Sequence, residues 1–198
     1  EQLTQAGFHV DLYDAMPTVG RKFLLAGLGG LNITHSEPYD TFCSRYAKHQ
    51  TALQATLDGF TPDDLRQWCD ELGVDTFVGT SGRVFPAEMK AAPLLRKWLA
   101  RLRESGLTIH PKHRWLGWDA QGNVIFQSPE GEITRGYDVL ILALGGGSWK
   151  KLGSDGHWMP LLQEQGVETM PLLPSNCGFL SDWSDHLKQN FSGSPLKS

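Results

Sequence analysis

The stretch Val19 to His35, VGRKFLLAGLGGLNITH, constrains this chain more than any other. Arg21 and Lys22 sit side by side, an apolar spacer follows, and Gly27-Leu28-Gly29-Gly30 is then closed by Asn32, Thr34 and His35. Glycines this dense suit neither a helix interior nor a strand interior. They suit a backbone that turns sharply or passes close to a bound group. Free backbone N–H groups beside two cations make a cradle for an anionic ligand with a long flat body. Just upstream, strand-like Phe8 to Tyr13 ends in Asp14. Together these residues read as one wall of a dinucleotide site, with FAD as the expected occupant.

The first residues support that reading. Residues 1–7 look like the last turns of a helix capped by Gly7, and Phe8, Val10 and Leu12 then alternate with polar neighbours. This is the back half of a nucleotide-binding βαβ unit, in which an acidic residue follows the glycine fingerprint by about 20 residues. Counting back from Asp14 puts that fingerprint just before residue 1, so the chain reads as a piece of a longer protein. Asp14 either accepts hydrogen bonds from a ribose hydroxyl or forms the turn before Ala15-Met16-Pro17.

Charge and cysteine usage narrow the function. The 198 residues carry 18 basic and 22 acidic side chains, a net charge of −4, which argues against nucleic acid as the main partner. No apolar run approaches the roughly 18 residues that span a membrane, and no stretch has the pattern of a secretory signal. Cys43, Cys69 and Cys177 are too few and too widely spaced for a metal or disulfide framework. They read as reduced thiols, so a cytoplasmic protein is expected.

Further along, Pro38 to Phe60 is helix-like. Thr61-Pro62-Asp63-Asp64 is a helix start, with Thr61 as N-cap and Pro62 in the first turn. Leu65, Trp68, Cys69 and Leu72 fall on one face of that helix, which makes Cys69 a core residue, and Gly73 stops it. Asp75 to Val78 reads as a short strand and Gly82 to Pro86 as a tight connection. A helix over 90–104 buries Leu95, Trp98, Leu99 and Leu102 and leaves Lys97, Arg101 and Arg103 solvated. From Leu107 the period becomes two: 107–110, 114–118, 124–127 and 132–135 read as a four-strand antiparallel meander. His110 and His113 flank a proline without a third ligand, so no metal site is expected. Asp138 to Leu144, DVLILAL, reads as a parallel strand buried on both faces, and Gly145-Gly146-Gly147-Ser148 as a bend at its carboxyl end where a cofactor can lie close. Leu161 to Gly166 reads as a short helix; the last 20 residues give no assignment.

The half fingerprint ending at Asp14, VGRKFLLAGLGGLNITHSE, GRVFP and YDVLILALGGGS, in that order, resemble the HI0933-like FAD-dependent flavoproteins, of the BaiN and aminoacetone-oxidase kind. The resemblance covers about residues 1–175. It implies an α/β, glutathione-reductase-type FAD-binding fold of three layers (parallel sheet, helices, small antiparallel meander), incomplete at both ends. Residues 1–173 would be the FAD domain and 174–198 the start of an inserted second domain. The resemblance also implies that Asp14 binds the adenosine ribose, with Ala15 beside it. Arg21, Lys22 and the loop of Gly29, Gly30, Leu31 and Asn32 would follow the ribityl chain and flavin. Trp115 would lie near adenine, and Ala143, Leu144, Gly145 and Gly146 near the pyrophosphate. Relatives read G-G-G-R-C-N where this chain has Gly27-Leu28-Gly29-Gly30-Leu31-Asn32, so Leu31 replaces a cysteine and no thiol can act there.

The expected activity is flavin-dependent oxidation or reduction of a small molecule, with no catalytic acid or base assignable; His35 and Glu37 are as well explained by structural roles. Two rivals remain: an RNA-modifying or RNA-binding flavoprotein of the same fold, and a truncated non-catalytic remnant. Without the fingerprint strand a sheet edge is left unpaired and the pyrophosphate loses its helix N-terminus. This chain by itself is therefore expected to bind FAD weakly or not at all, and the intact protein to bind it.

Overall fold

The structure is a computed structural model that describes residues 1–26, 29–173 and 181–192. The elements run α1 (Gln2–Gln5), β1 (Asp11–Asp14), α2 (Arg21–Ala26), β2 (Thr34–His35), α3 (Tyr39–Ser44) and α4 (Gln50–Gly59). Next come α5 (Pro62–Glu71), the hairpin of β3 (Thr76–Val78) and β4 (Arg83–Pro86), and α6 (Ala91–Glu104). Strands β5 (Thr108–Pro111), β6 (Arg114–Trp118), β7 (Val124–Ser128) and β8 (Gly131–Arg135) precede α7 (Trp158–Glu164) and α8 (Asp185–Phe191). Among the described residues no helix is long and apolar enough to cross a membrane.

The core forms around α6. Pro93 is tolerated because it sits in the first turn, where its missing N–H has no partner to lose. Ala91, Leu94, Leu95 and Leu102 then recur on one face and are buried. Leu94 is 2% exposed and packs with Leu31, Cys69, Val74 and Ala91; Phe23, Leu24 and Trp68 close over this cluster. The apolar spacer after Arg21 and Lys22 is thus a helical anchor. On α5 the capping box forms as expected: Thr61 Oγ1 accepts from Asp64 N–H at 3.2 Å, and Asp64 returns the bond to Thr61 N–H at 2.7 Å. Cys69 is fully buried, and burial pushes its thiol pKa up, as befits a core residue.

Three expectations about strands need correction. The 107–110 segment is not part of the meander: β5 pairs in parallel with β1, from Asp11 opposite Thr108 to Asp14 opposite Pro111, leaving an antiparallel meander of β6, β7 and β8. Alternation alone cannot distinguish a parallel from an antiparallel partner. Residues 83–86 are a strand rather than a connection, since β4 lies between β2 and β3. The DVLILAL segment forms no ladder, and Val139 and Ile141 are 79% and 65% exposed. An apolar run becomes a buried strand only beside another strand, and β1 pairs with β5 alone.

Arg101 is also not a solvated charge. Its guanidinium lies 5.8 Å from the Trp68 ring centroid, and its Nε is 3.6 Å from Glu1 Oε1. Glu1 Oε2 accepts the indole N–H groups of Trp68 and Trp98 at 3.0 and 2.9 Å, tying the first residue to α5 and α6. The two indoles meet edge to face at 5.2 Å. In the C-terminal stretch left unassigned by sequence, α8 forms with Ser184 as its N-cap. Cys177 lies outside the described residues.

Because Leu94 is enclosed on every side, Leu94→Ala is expected to lower the unfolding free energy by about 3 kcal/mol. Urea denaturation of the two proteins measures this, and a loss below about 1 kcal/mol would contradict the packing.

Candidate functional site

The two arms of the expected site meet at one bond. Lys22, in the first turn of α2, donates from Nζ to Ser148 Oγ at 3.2 Å across 126 residues of chain. Phe23 and Leu24 pack into the core immediately after it, so the cation is presented from a rigid base. An exposed bond of this kind contributes about 1 kcal/mol at most; what it fixes is position. Arg21, beside it, makes no hydrogen bond or ion pair among the described residues.

The glycine bend is held from behind by its carbonyls. Gly145 O accepts the Trp158 indole N–H at 3.1 Å and Gly146 O accepts Ser154 Oγ at 2.8 Å. Gly145 has φ +69°, a conformation in which a side chain is strained. The N–H groups of Gly145, Gly146, Gly147 and Ser148 donate to no protein acceptor among the described residues. Two carbonyls held by side chains, four amides without a protein acceptor among the described residues and the Lys22 ammonium at Ser148 together suit an anion. Ala143 and Leu144 precede this bend without a recorded polar contact, Ala143 exposed and Leu144 half-buried.

Asp14 reaches the same region through Met16. One carboxylate oxygen accepts Met16 N–H at 2.8 Å, the turn-forming role considered above, and the other has no partner among the described residues. Ala15 is the middle residue of that turn. Met16 in turn packs on Gly153, where an added Cβ would lie 2.9 Å from Met16 Cγ. Asp14, the 145–154 segment and Lys22 are therefore parts of one connected surface.

The other predicted residues are placed differently. Leu31 is 5% exposed in the core and its N–H donates to Met89 O at 3.0 Å. Asn32 is a clamp: its Nδ2 donates to Thr34 O at 2.7 Å and Val84 O at 3.2 Å. Gly30, at φ +121°, leaves room for the Met89 methyl, whereas nothing lies within 4 Å of where a Cβ on Gly29 would be. Gly27 lies outside the described residues. Trp115 sits at a bulge in β6, its indole N–H donating to Gly117 O at 3.0 Å. It is opposite Phe126, which stacks on Tyr13 at 4.1 Å next to Asp14.

Sequence reasoning missed Asp155. Its carboxylate accepts from Arg114 of β6 at 3.0 Å and lies 2.9 Å from His157 Nδ1, clipping the chain beyond the glycine bend onto the meander. Burial works to raise its pKa, but the bonds from His157 and Arg114 outweigh this and hold it at about 2. Nothing in the local pattern marks Asp155, because its partner Arg114 is 41 residues away.

A second feature opens past Asn32: a cleft of about 530 Å³ lined by Asn32, Thr34, His35, Glu37, Phe42, Arg45, Tyr46, Ser81 and Arg83. Arg45 donates to both oxygens of Glu37 at 2.5 and 2.6 Å, holding that carboxyl below its usual pKa range. His35 Nδ1 accepts Glu37 N–H at 3.1 Å, so the proton sits on Nε2, which faces Ser81 O at 3.1 Å. The imidazole is thus held between two backbone groups, with its Nδ1 3.6 Å from Glu37 Oε1. An added Cβ on Gly82, at φ +77°, would lie 2.6 Å from the His35 ring.

A parallel pair bridged by helices, a meander packed against it, and a glycine bend near the ends of the strands define a Rossmann-type α/β domain. The chain belongs to the HI0933-like family, whose Rossmann domain matches residues 1–179. It is 29% identical over 168 residues to the 3-dehydro-bile acid delta(4,6)-reductase of Clostridium scindens, a match covering 84% of this chain and 40% of that protein. The chain thus spans about two fifths of the length of this curated relative. Among solved structures, that of Thermovibrio ammonificans THI4 is similar with a TM-score of 0.48 at 12% identity, over 84% of this chain and 57% of THI4.

An aspartate whose pKa is lowered from 3.8 to about 2 stabilises the fold above its unfolded pKa, and this is lost as pH falls toward 2. Asp155→Asn is expected to be less stable than the parent at pH 6, with the gap closing between about pH 4 and 2. Denaturant melts at these pH values measure it; a gap independent of pH would contradict the pairing.

Proposed function

We propose that this chain is part of the FAD-binding domain of a flavin-dependent oxidoreductase acting on a small molecule. The observation that carries the reading is the junction of Lys22 with the free-amide bend at Gly145 to Ser148. The residues present fit the group. Asp14 offers an unengaged carboxylate oxygen at the carboxyl end of β1, where ribose hydroxyls bind in such sheets. The bend and Lys22 suit a pyrophosphate, and bare backbone at Gly29 leaves open space for a flat ring. Arg21 adds positive potential on the same helix end.

When bound, FAD supplies the electron transfer itself. The chain's own part is to hold and orient it. Asp14 accepts from the ribose. Lys22 and the amides of the bend offset phosphate charge. Asn32 fixes the glycine loop so that the ring meets a preset surface. The relative named a bile acid reductase supports reduction as the working direction. Residues 174–198 would begin the second domain.

The test is the flavin content of the intact protein. It is expected to purify with FAD, identified by absorbance and by release on denaturation. Lys22→Ala is expected to weaken FAD binding about tenfold or more, the loss of one charge-assisted contact. A protein that neither carries nor takes up flavin, or a Lys22→Ala variant with unchanged affinity, would contradict the proposal.

A further inference from the structure

The geometry points to the cleft at Arg83 as a binding site for a small organic carboxylate with an apolar body. The cleft of about 530 Å³ falls within the range of small-molecule sites. Its charges do not cancel. Glu37 is fully engaged, both oxygens held by Arg45, and both ring nitrogens of His35 meet backbone groups. The Arg83 side chain is left with no hydrogen bond or ion pair among the described residues, and the residue stands in register with His35 on the neighbouring strand. The cleft therefore carries one uncompensated guanidinium, whose planar fork matches a carboxylate in two bonds.

Part of the lining is apolar. Phe42 and Tyr46 lie one helical turn apart with ring centroids 5.9 Å apart and supply area for a ligand body. No free acid among the lining residues would repel the incoming carboxylate. Between the lining residues, Ser36 N–H and its hydroxyl both bond Gly82 O, at 2.8 and 3.0 Å, and tie the end of β2 to the hairpin turn. Asn32 belongs both to this cleft and to the glycine loop. Naming the cleft the substrate pocket rests on the flavin reading above; binding of the carboxylate does not.

Equilibrium dialysis of the intact protein against benzoate, with benzamide as the uncharged isostere, tests this. Benzoate is expected to bind saturably and at least tenfold more tightly than benzamide. Arg83→Gln is expected to lose at least tenfold in benzoate affinity, Arg83→Lys less, and Tyr46→Ala to weaken both ligands together. Arg83 is exposed, so the variants are expected to keep the parental melting temperature and flavin content; Tyr46→Ala gives an independent arm if Arg83→Gln does not fold. Equal binding of benzoate and benzamide, or unchanged benzoate affinity in Arg83→Gln, overturns the assignment. A flavin-free protein that still discriminates benzoate supports the cleft while refuting the flavin reading. A flavin-loaded protein that does not discriminate refutes the cleft alone.

Discussion

Burial of Leu31 beneath α6 is the constraint on which the cation pair and the glycine loop both depend. Leu31 and Leu94 share one cluster with Cys69 and Val74, and Phe23 and Leu24 pack on it from α2. The two cations and the glycine loop are therefore anchored to the same side chains. The backbone pays its part in strain: Met89, which accepts Leu31 N–H, is a non-glycine residue at φ +59°. Such a conformation persists where its surroundings over-determine it. Here the Met89 methyl fills the space that a side chain on Gly30 would take.

The glycine bend depends on a second set of anchors. Trp158 and Ser154 hold its carbonyls, and the Arg114–Asp155–His157 cluster holds the chain that follows. The amides of the bend donate to no acceptor among the described residues. These two systems meet where α2 and the bend touch, at Lys22 and Ser148. A surface built from two independently anchored segments keeps its shape without a ligand, and preorganisation of that kind reduces the ordering cost of binding.

What was legible in the sequence had local causes. The α5 start was readable because Thr61, Pro62 and Asp64 act within one turn. The α6 core face followed from 3.6-residue spacing. The cation pair and the glycines stood out because their chemistry is unusual for a core. What escaped had distant causes. The parallel partner of β5 is nearly 100 residues upstream, and the strand at 83–86 was hidden by Gly82 and Pro86. DVLILAL has the composition of a central strand, but composition does not supply a neighbour. Asn32 also spends its amide on two backbone carbonyls, a structural role that spacing does not reveal.

The direct test of the account is a crystal structure of the intact protein with its flavin. The account predicts a dinucleotide running from the Asp14 carboxylate over the Gly145 to Ser148 amides, with the Lys22 ammonium within hydrogen-bond reach of a phosphate oxygen. A nucleotide bound elsewhere, or Lys22 and Ser148 on separate surfaces, would contradict it.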